Sequence, residues 1–398
     1  MTVGNRLVRH TATEPIRNVA PAAAFDRPSP VKVCLGDTRW PRLGPGRDTA
    51  DVKSVAEAFK KEMGATRGRR KLSPSGRAIS ALTWWPSVRS YIVGGDDTRR
   101  IVPVFMGALD LVNLTALMER SGGSPELKVG IIDGPVAIEH PDLTPERVHE
   151  ISEDSAATCY RTSSTACLHG TFVAGILSAK RNSGAPAICP NCTILVRPIF
   201  SESTPGNGLP SATPYALARA IVECIDAGAR VLNLSLALVQ PSNKGDQILD
   251  AALHQAVKRG VIVAAAAGNQ GMLGSTAITR HPWVISVVAC DLQGRPIRES
   301  NLGGSIGKRG LCAPGDRITS LGAEGPPLTL GGTSVAVPFV TGAAALLWSE
   351  FPTATAAQIK LAMMQTSAPR RSSIVPPLLD ALAAYQALAV AKMRTRTA

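Results

Sequence analysis

From Leu127 to the C-terminus, apolar residues alternate between short unbroken runs and runs spaced at three and four, the signatures of buried strands and amphipathic helices. Leu127 to Ile132 is apolar on both faces, as a central strand of a parallel sheet must be. The pattern then predicts a helix over His169 to Ala179, a strand over Thr193 to Ile199 and a helix over Pro214 to Ala227. A strand (Val231 to Leu238), a helix (Asp246 to Arg259, stopped by Gly260) and two strands (Val261 to Ala267, Trp283 to Ala289) follow. An apolar helix begins near Ser334, and two more close the chain, over Ala356 to Gln365 and Leu378 to Val390. This β-α-β-α rhythm implies an α/β fold of three layers: a mainly parallel central sheet with helices on both faces. Sites in such sheets form at the carboxyl ends of the strands.

The first third reads differently. Residues 1–105 form a Pro-rich extension with one helical candidate, Thr49 to Met63, carrying Val52, Val55, Ala56 and Phe59 on one face. The run Arg67 to Lys71 interrupts it, either as a solvated basic linker or as a cleavage site in a removable segment. A short amphipathic helix is expected over Leu109 to Arg120, before the Gly-Ser loop Ser121 to Pro125. The organisation is therefore extension (1–105), enzyme-sized domain (106–390) and frayed basic tail (391–398).

Charge supports that division. The net charge is +13, but residues 1–105 hold 19 Lys and Arg against 9 Asp and Glu, leaving only +3 for everything after them. The domain itself therefore lacks the basic excess of a nucleic-acid binder. No apolar run reaches the ~18 residues of a membrane span, and the N-terminus shows no signal-peptide pattern, so a cytoplasmic protein is the default and secretion the alternative. The eight cysteines leave three states open: free thiols, one or two local disulfides (Cys159 with Cys167 among them), or a four-cysteine zinc site using Cys189 and Cys192.

Three stretches carry chemistry. Gly331-Gly332-Thr333-Ser334 delivers a hydroxyl to the start of an apolar helix, where unpaired N–H groups favour a forming anion. Read alone, Thr333 or Ser334 is equally a helix N-cap. Val129 to Gly134 is an apolar strand ending in Asp133, which alone reads as a turn residue. His169-Gly170-Thr171 puts an imidazole at the head of another apolar helix. Carboxylate, imidazole and hydroxyl at element edges are the parts of an orienting group, a base and a nucleophile.

In that order, with His140-Pro141-Asp142-Leu143 and Ala266-Ala267-Gly268-Asn269 between them, these motifs resemble the subtilisin-like serine proteases. The resemblance implies a serine endopeptidase in which Ser334 attacks a peptide carbonyl, His169 takes its proton and Asp133 steers the ring. Asn269 and the Ser334 backbone N–H would line the oxyanion hole. It further implies an extended peptide or protein substrate lying against Leu234, Ser235, Leu236 and Ala237, with Ala266 and Gly268 as additional substrate-binding candidates. No cofactor is required; Asp142 matches a calcium position in many relatives and is otherwise an exposed turn carboxylate.

The chain departs from the family pattern in several places, none of which removes a reacting group, and the first of them points to restricted specificity. Ala237 and Leu238 stand where glycines are usual, Phe172 replaces a second histidine, and Val335, Val337 and Phe339 alter the serine motif. Asp133-Gly134-Pro135-Val136 and Cys189-Pro190-Asn191-Cys192 are similar to the subtilases that mature cyanobactin precursor peptides. The chaperone-like pro-domain of many exported relatives has no evident alternating pattern in residues 1–105. Oligomeric state is not legible. The alternatives are a non-catalytic scaffold with the same fold, and an esterase or ligase using the same three groups.

Overall fold

The computed structural model describes residues 33–35, 88–93, 100–105, 107–151, 159–202, 210–238, 246–365 and 373–397. The helix predicted over 49–63 and the basic run at 67–71 lie outside them.

In chain order the strands are β1 (Val33–Leu35), β2 (Val88–Val93), β3 (Arg100–Phe105), β4 (Lys128–Asp133), β5 (Val148–Glu150), β6 (Thr193–Pro198) and β7 (Ser211–Ala212). They continue with β8 (Val231–Leu234), β9 (Leu236–Leu238), β10 (Ile262–Ala266), β11 (Ile285–Cys290), β12 (Leu311–Pro314), β13 (Ile318–Ser320) and β14 (Leu328–Leu330). The helices are α1 (Ala108–Leu111), α2 (Leu114–Met118), α3 (Thr165–Ser178), α4 (Pro214–Asp226), α5 (Gln247–Arg259), α6 (Ala277–Arg280), α7 (Gly304–Arg309), α8 (Thr333–Glu350), α9 (Ala356–Met364) and α10 (Ala381–Thr397).

Seven parallel strands form the central sheet in the order β12-β11-β10-β8-β4-β6-β5. Alternation along each strand feeds two cores. Val129 and Ile131 of β4, with Ile262 and Ala264 of β10, pack with Phe172 and Ile176 of α3 and with Val335, Phe339 and Trp348 of α8. Ile132, Leu232, Leu234 and Val263 point the other way, onto Leu217 and Ile221 of α4 and Leu249 and Leu253 of α5. Burial on both faces is why these strands read as unbroken apolar runs.

Several boundaries differ from the pattern, each for a local reason. The helix predicted over 109–120 is two helices, broken at Asn113, whose φ of 54° is a conformation asparagine tolerates. Its Nδ2 donates to Asp380 Oδ1 at 3.1 Å. Helix α3 begins at Thr165 rather than His169, because the Ser164 hydroxyl caps the Cys167 N–H at 3.1 Å. His169 therefore sits in the second turn. The tail expected to fray is helical to Thr397, although residues 391–394 are exposed; alanine-rich sequence propagates the helix, and Lys392 and Arg394 complement its C-terminal dipole. The strand expected over 231–238 splits at Ser235 into β8 and β9, which belong to different sheets. Within residues 1–105, where no β pattern was expected, β2 and β3 pair antiparallel from Val88 opposite Phe105 to Val93 opposite Arg100. Tyr91, Ile92, Ile101 and Val102 are the aromatic and β-branched types that favour strands.

Candidate active site

Asp133 ends β4, Ser235 follows β8, Asn269 lies three residues past β10, and Ser334 is the second residue of α8. The first three stand at the carboxyl edge of the central sheet or on the loops leaving it, and Ser334 stands in the first turn of α8. The approach of β4 to α3 is so close that a Cβ at Gly134 would lie 2.1 Å from the Ala166 carbonyl oxygen. One at Gly170 would lie 2.4 Å from that of Pro135, so only glycines let strand end and helix meet.

That contact brings the imidazole between its two partners. His169 Nδ1 lies 2.7 Å from Asp133 Oδ1, and His169 Nε2 lies 3.1 Å from Ser334 Oγ. Asp133, His169 and Ser334 are fully buried. The Gly134 N–H donates to Asp133 Oδ1 at 2.6 Å, fixing the carboxylate that fixes the ring. With the Nδ1 proton on the carboxylate side, Nε2 presents a lone pair to the serine hydroxyl.

The N-cap reading of Thr333 and Ser334 does not hold. The cap residue of α8 is Gly332, with φ 131° and no side-chain capping bond. The Thr333 hydroxyl instead donates to Asn269 Oδ1 at 2.7 Å and accepts from the Gly268 N–H at 3.2 Å, while the Thr333 N–H donates to Asn269 Oδ1 at 2.8 Å. These bonds hold the amide oxygen and turn the amide nitrogen the other way. Asn269 Nδ2 is buried and, among the described residues, has no acceptor. A Cβ at Gly332 would meet it at 2.8 Å. An orphaned buried donor is costly, so Asn269 Nδ2 is left open to an acceptor that the described residues do not supply.

Several residues brace the site: Asn301, Pro338, Asn233 and Thr341, which sequence reasoning passed over, and Ser235, expected there only as a substrate-binding residue. Asn301 Oδ1 accepts from the N–H groups of Gln270 and Met272, and its Nδ2 donates to Ala267 O, pinning the loop that carries Asn269. Pro338 stands inside α8 and has no N–H to give Ser334 O, its i−4 carbonyl. Ser235 Oγ donates to that carbonyl at 2.8 Å in its place. Asn233 Nδ2 donates to Ser235 Oγ at 2.8 Å, and Thr341 Oγ1 donates to Asn233 Oδ1 at 2.9 Å. The signal in the sequence was an asparagine inside the apolar run Val231-Leu232-Asn233-Leu234.

The substrate-binding candidates divide. Leu234 and Ala266 are buried in the two cores. Gly268, at φ 105°, accepts from the Asn301 N–H at 2.8 Å, beside Asn269. Leu236 and Ala237 lie in β9, whose edge is occupied by β1. Beside Asp142, the Lys180 backbone N–H donates to Asp142 O at 2.8 Å and the Lys180 ammonium donates to Pro141 O at 2.6 Å. Cys159 and Cys167 form a disulfide, and the other six cysteines are not disulfide-bonded. Among the described residues Cys189 and Cys192 belong to no group that could hold a metal ion. The hydrogen bond with neighbouring Cys192, and then burial, push the Cys189 thiol well above its usual range.

The profile of the subtilase family (peptidase S8) matches residues 124–388. The chain is 33% identical over 246 residues to subtilisin DY of Bacillus licheniformis, covering 61% of this chain and 83% of that protein. It is 31% identical to subtilisin NAT of Bacillus subtilis subsp. natto over 289 residues, 71% of each. Among solved structures it is similar to a serine-to-alanine mutant of the protease domain of PatA (31% identity, TM-score 0.61, 68% of this chain and 97% of that one). It is also similar to the prenylagaramide maturation protease PagA (27% identity, TM-score 0.62, 69% and 98%). No described helix is long and apolar enough to cross a membrane. By sequence and fold together, the chain belongs to the subtilase family and is a subtilisin-like serine endopeptidase.

Proposed function

We propose that Ser334 is the nucleophile, His169 the general base and then acid, and Asp133 the group that orients the ring, in cleaving an extended precursor peptide. The observation that carries this is one buried imidazole within hydrogen-bond reach of both a carboxylate and a hydroxyl, at 2.7 and 3.1 Å. His169 Nε2 takes the hydroxyl proton as Oγ bonds the scissile carbon, and Asp133 stabilises the imidazolium. Asn269 Nδ2 and the Ser334 N–H, which in the first turn of α8 has no intrahelical acceptor, hold the oxyanion. His169 then passes its proton to the leaving amine, and water, activated by the same imidazole, releases the acyl group.

A narrow substrate range fits Ala237 and Leu238, whose side chains replace the glycines of broad proteases along the ledge. The maturation proteases among the similar structures point the same way. The test is a digest of a diverse peptide library read by mass spectrometry. A short list of cleaved sequences, abolished in Ser334→Ala, supports the reading; indiscriminate cleavage overturns the restricted range.

A further inference from the structure

The chain leading into α3 is tied down in two ways. Cys159 is bonded to Cys167, in the first turn of the helix, with the two Cα atoms 5.6 Å apart. The Glu202 carboxylate gathers what lies between them: Oε1 accepts from the Arg161 N–H at 3.0 Å and from the Ser164 hydroxyl at 3.1 Å, and Oε2 accepts from the Tyr160 N–H at 3.0 Å. Both sulfurs and a carboxylate oxygen of Glu202 therefore lie within 4.8 Å of one another. Peptide cleavage by Ser334 and His169 makes no use of this trio.

We infer that Cys159, Cys167 and Glu202 form a soft-metal site that opens when the disulfide is reduced and then holds one zinc-like divalent ion through two sulfurs and a carboxylate oxygen. A dithiol that opens the bond gives up two electrons and two protons, becoming a disulfide itself and leaving two thiols here. Binding of the ion then releases both thiol protons to solvent, because the thiolate is the form that ligates. Two thiolates on a tetrahedral zinc stand about 3.8 Å apart, the edge that follows from metal–sulfur bonds of about 2.3 Å. Side-chain rotation alone brings the freed sulfurs to that spacing from Cα atoms 5.6 Å apart. The donors select the ion, since sulfur favours zinc and its transition-metal neighbours over calcium or magnesium. Cys167 is the third residue of α3, where the helix dipole favours a thiolate. The N–H groups of Tyr160 and Arg161 and the Ser164 hydroxyl orient the carboxylate, as outer partners of a metal ligand do. Cys167 stands two residues before His169, so disulfide and ion would alternately brace the start of the helix that carries the imidazole.

Cobalt(II) is the probe of choice, because thiolate bound to it gives a charge-transfer band in the near ultraviolet. Nitrogen and oxygen ligands, such as those of Asp250, His254 and His281, give none. Full-length Ser334→Ala protein, in which self-digestion is abolished, is reduced with a dithiol, freed of it under argon, and titrated with cobalt(II) and then with zinc. The reduced protein is expected to show the band at one cobalt per chain and to lose it as zinc displaces the cobalt, and the oxidised protein to show no band. Cys159→Ser should abolish tight binding at this site, and Glu202→Gln should weaken it by at least about tenfold, the lower end of what even an outer partner of a metal ligand is worth. A band present before reduction, or unchanged in Cys159→Ser, would put the metal on other cysteines such as Cys189 and Cys192 and overturn the inference. The absence of any band from the reduced protein, or parental affinity in Glu202→Gln, would overturn it as well. Should Cys159→Ser not fold, reoxidation of the cobalt-loaded parent decides the question: expulsion of the ion as the disulfide closes supports the site, and retention overturns it.

Discussion

The link between Ser235 and Pro338 makes a prediction whose size follows from the bonds involved. Ser235, Asn233 and Ser334 are all fully buried. Replacing Ser235 with alanine removes the donor to Ser334 O and the acceptor of Asn233 Nδ2, both 2.8 Å bonds. Two buried polar groups are orphaned, each at a cost of about 1–3 kcal/mol, so Ser235→Ala is expected to destabilise the fold by about 3 kcal/mol. Pro338→Ala returns a backbone N–H at the position from which a helix serves its i−4 carbonyl. With Ser235 present that carbonyl is already satisfied, and the change should be close to neutral. With Ser235 absent the new N–H repairs one of the two orphans. The double variant should therefore be at least about 1 kcal/mol more stable than the sum of the single effects, well outside the ~0.5 kcal/mol scatter of independent sites. Urea unfolding in a Ser334→Ala background, which keeps the backbone carbonyl and abolishes self-digestion, measures the cycle. Strict additivity would refute the claim that Ser235 stands in for the amide that Pro338 lacks.

Other outcomes follow from single features. Asn269→Ala should lower kcat by about 10²–10³ with little change in KM, a magnitude carried over from subtilisin; a fall in KM affinity alone would remove Asn269 from the oxyanion role. Lys360 is held from its ordinary 10.5 down to about 8, first by burial and then by Arg309. Between those pH values the unfolded chain keeps a proton that the folded chain has released, so this residue makes stability rise with pH across the window. The stability of parent minus Lys360→Met, followed from pH 7 to 11, should climb between pH 8 and 10.5; a flat or falling difference refutes it. Alkylation of the unfolded, unreduced protein should add six labels, rising to eight after reduction, with Cys159 and Cys167 gaining theirs last. Eight labels without reduction would contradict the disulfide.

Asp133 and Asn269 are legible in the sequence because each follows an apolar strand run beside a glycine, Ser334 because a glycine pair leads into an apolar helix, and His169 because His169-Gly170-Thr171 opens an apolar run, although the helix itself begins earlier, at Thr165. That the central strands are buried on both faces is legible from their unbroken apolar runs, but their order in the sheet is not, since such runs do not say which strand lies beside which. What supports the site is not legible. Ser235 and Ser334 are 99 positions apart, and nothing near either one says that a helix proline has left a carbonyl needing a hydroxyl. The start of α3 is displaced by a serine cap that resembles loop sequence. Strand β1 is three residues long, too short for any periodicity, and becomes a strand only because two edges, β7 and β9, are there to pair with it.

The central claim is that His169, steered by Asp133, activates Ser334. The most direct measurement is the rate of fluorophosphonate labelling at a single serine, read by peptide mass spectrometry and repeated in Ser334→Ala and His169→Ala. The account predicts one adduct, on Ser334, absent from the first variant and slowed by orders of magnitude in the second. An adduct on another serine, or labelling indifferent to His169, would contradict it.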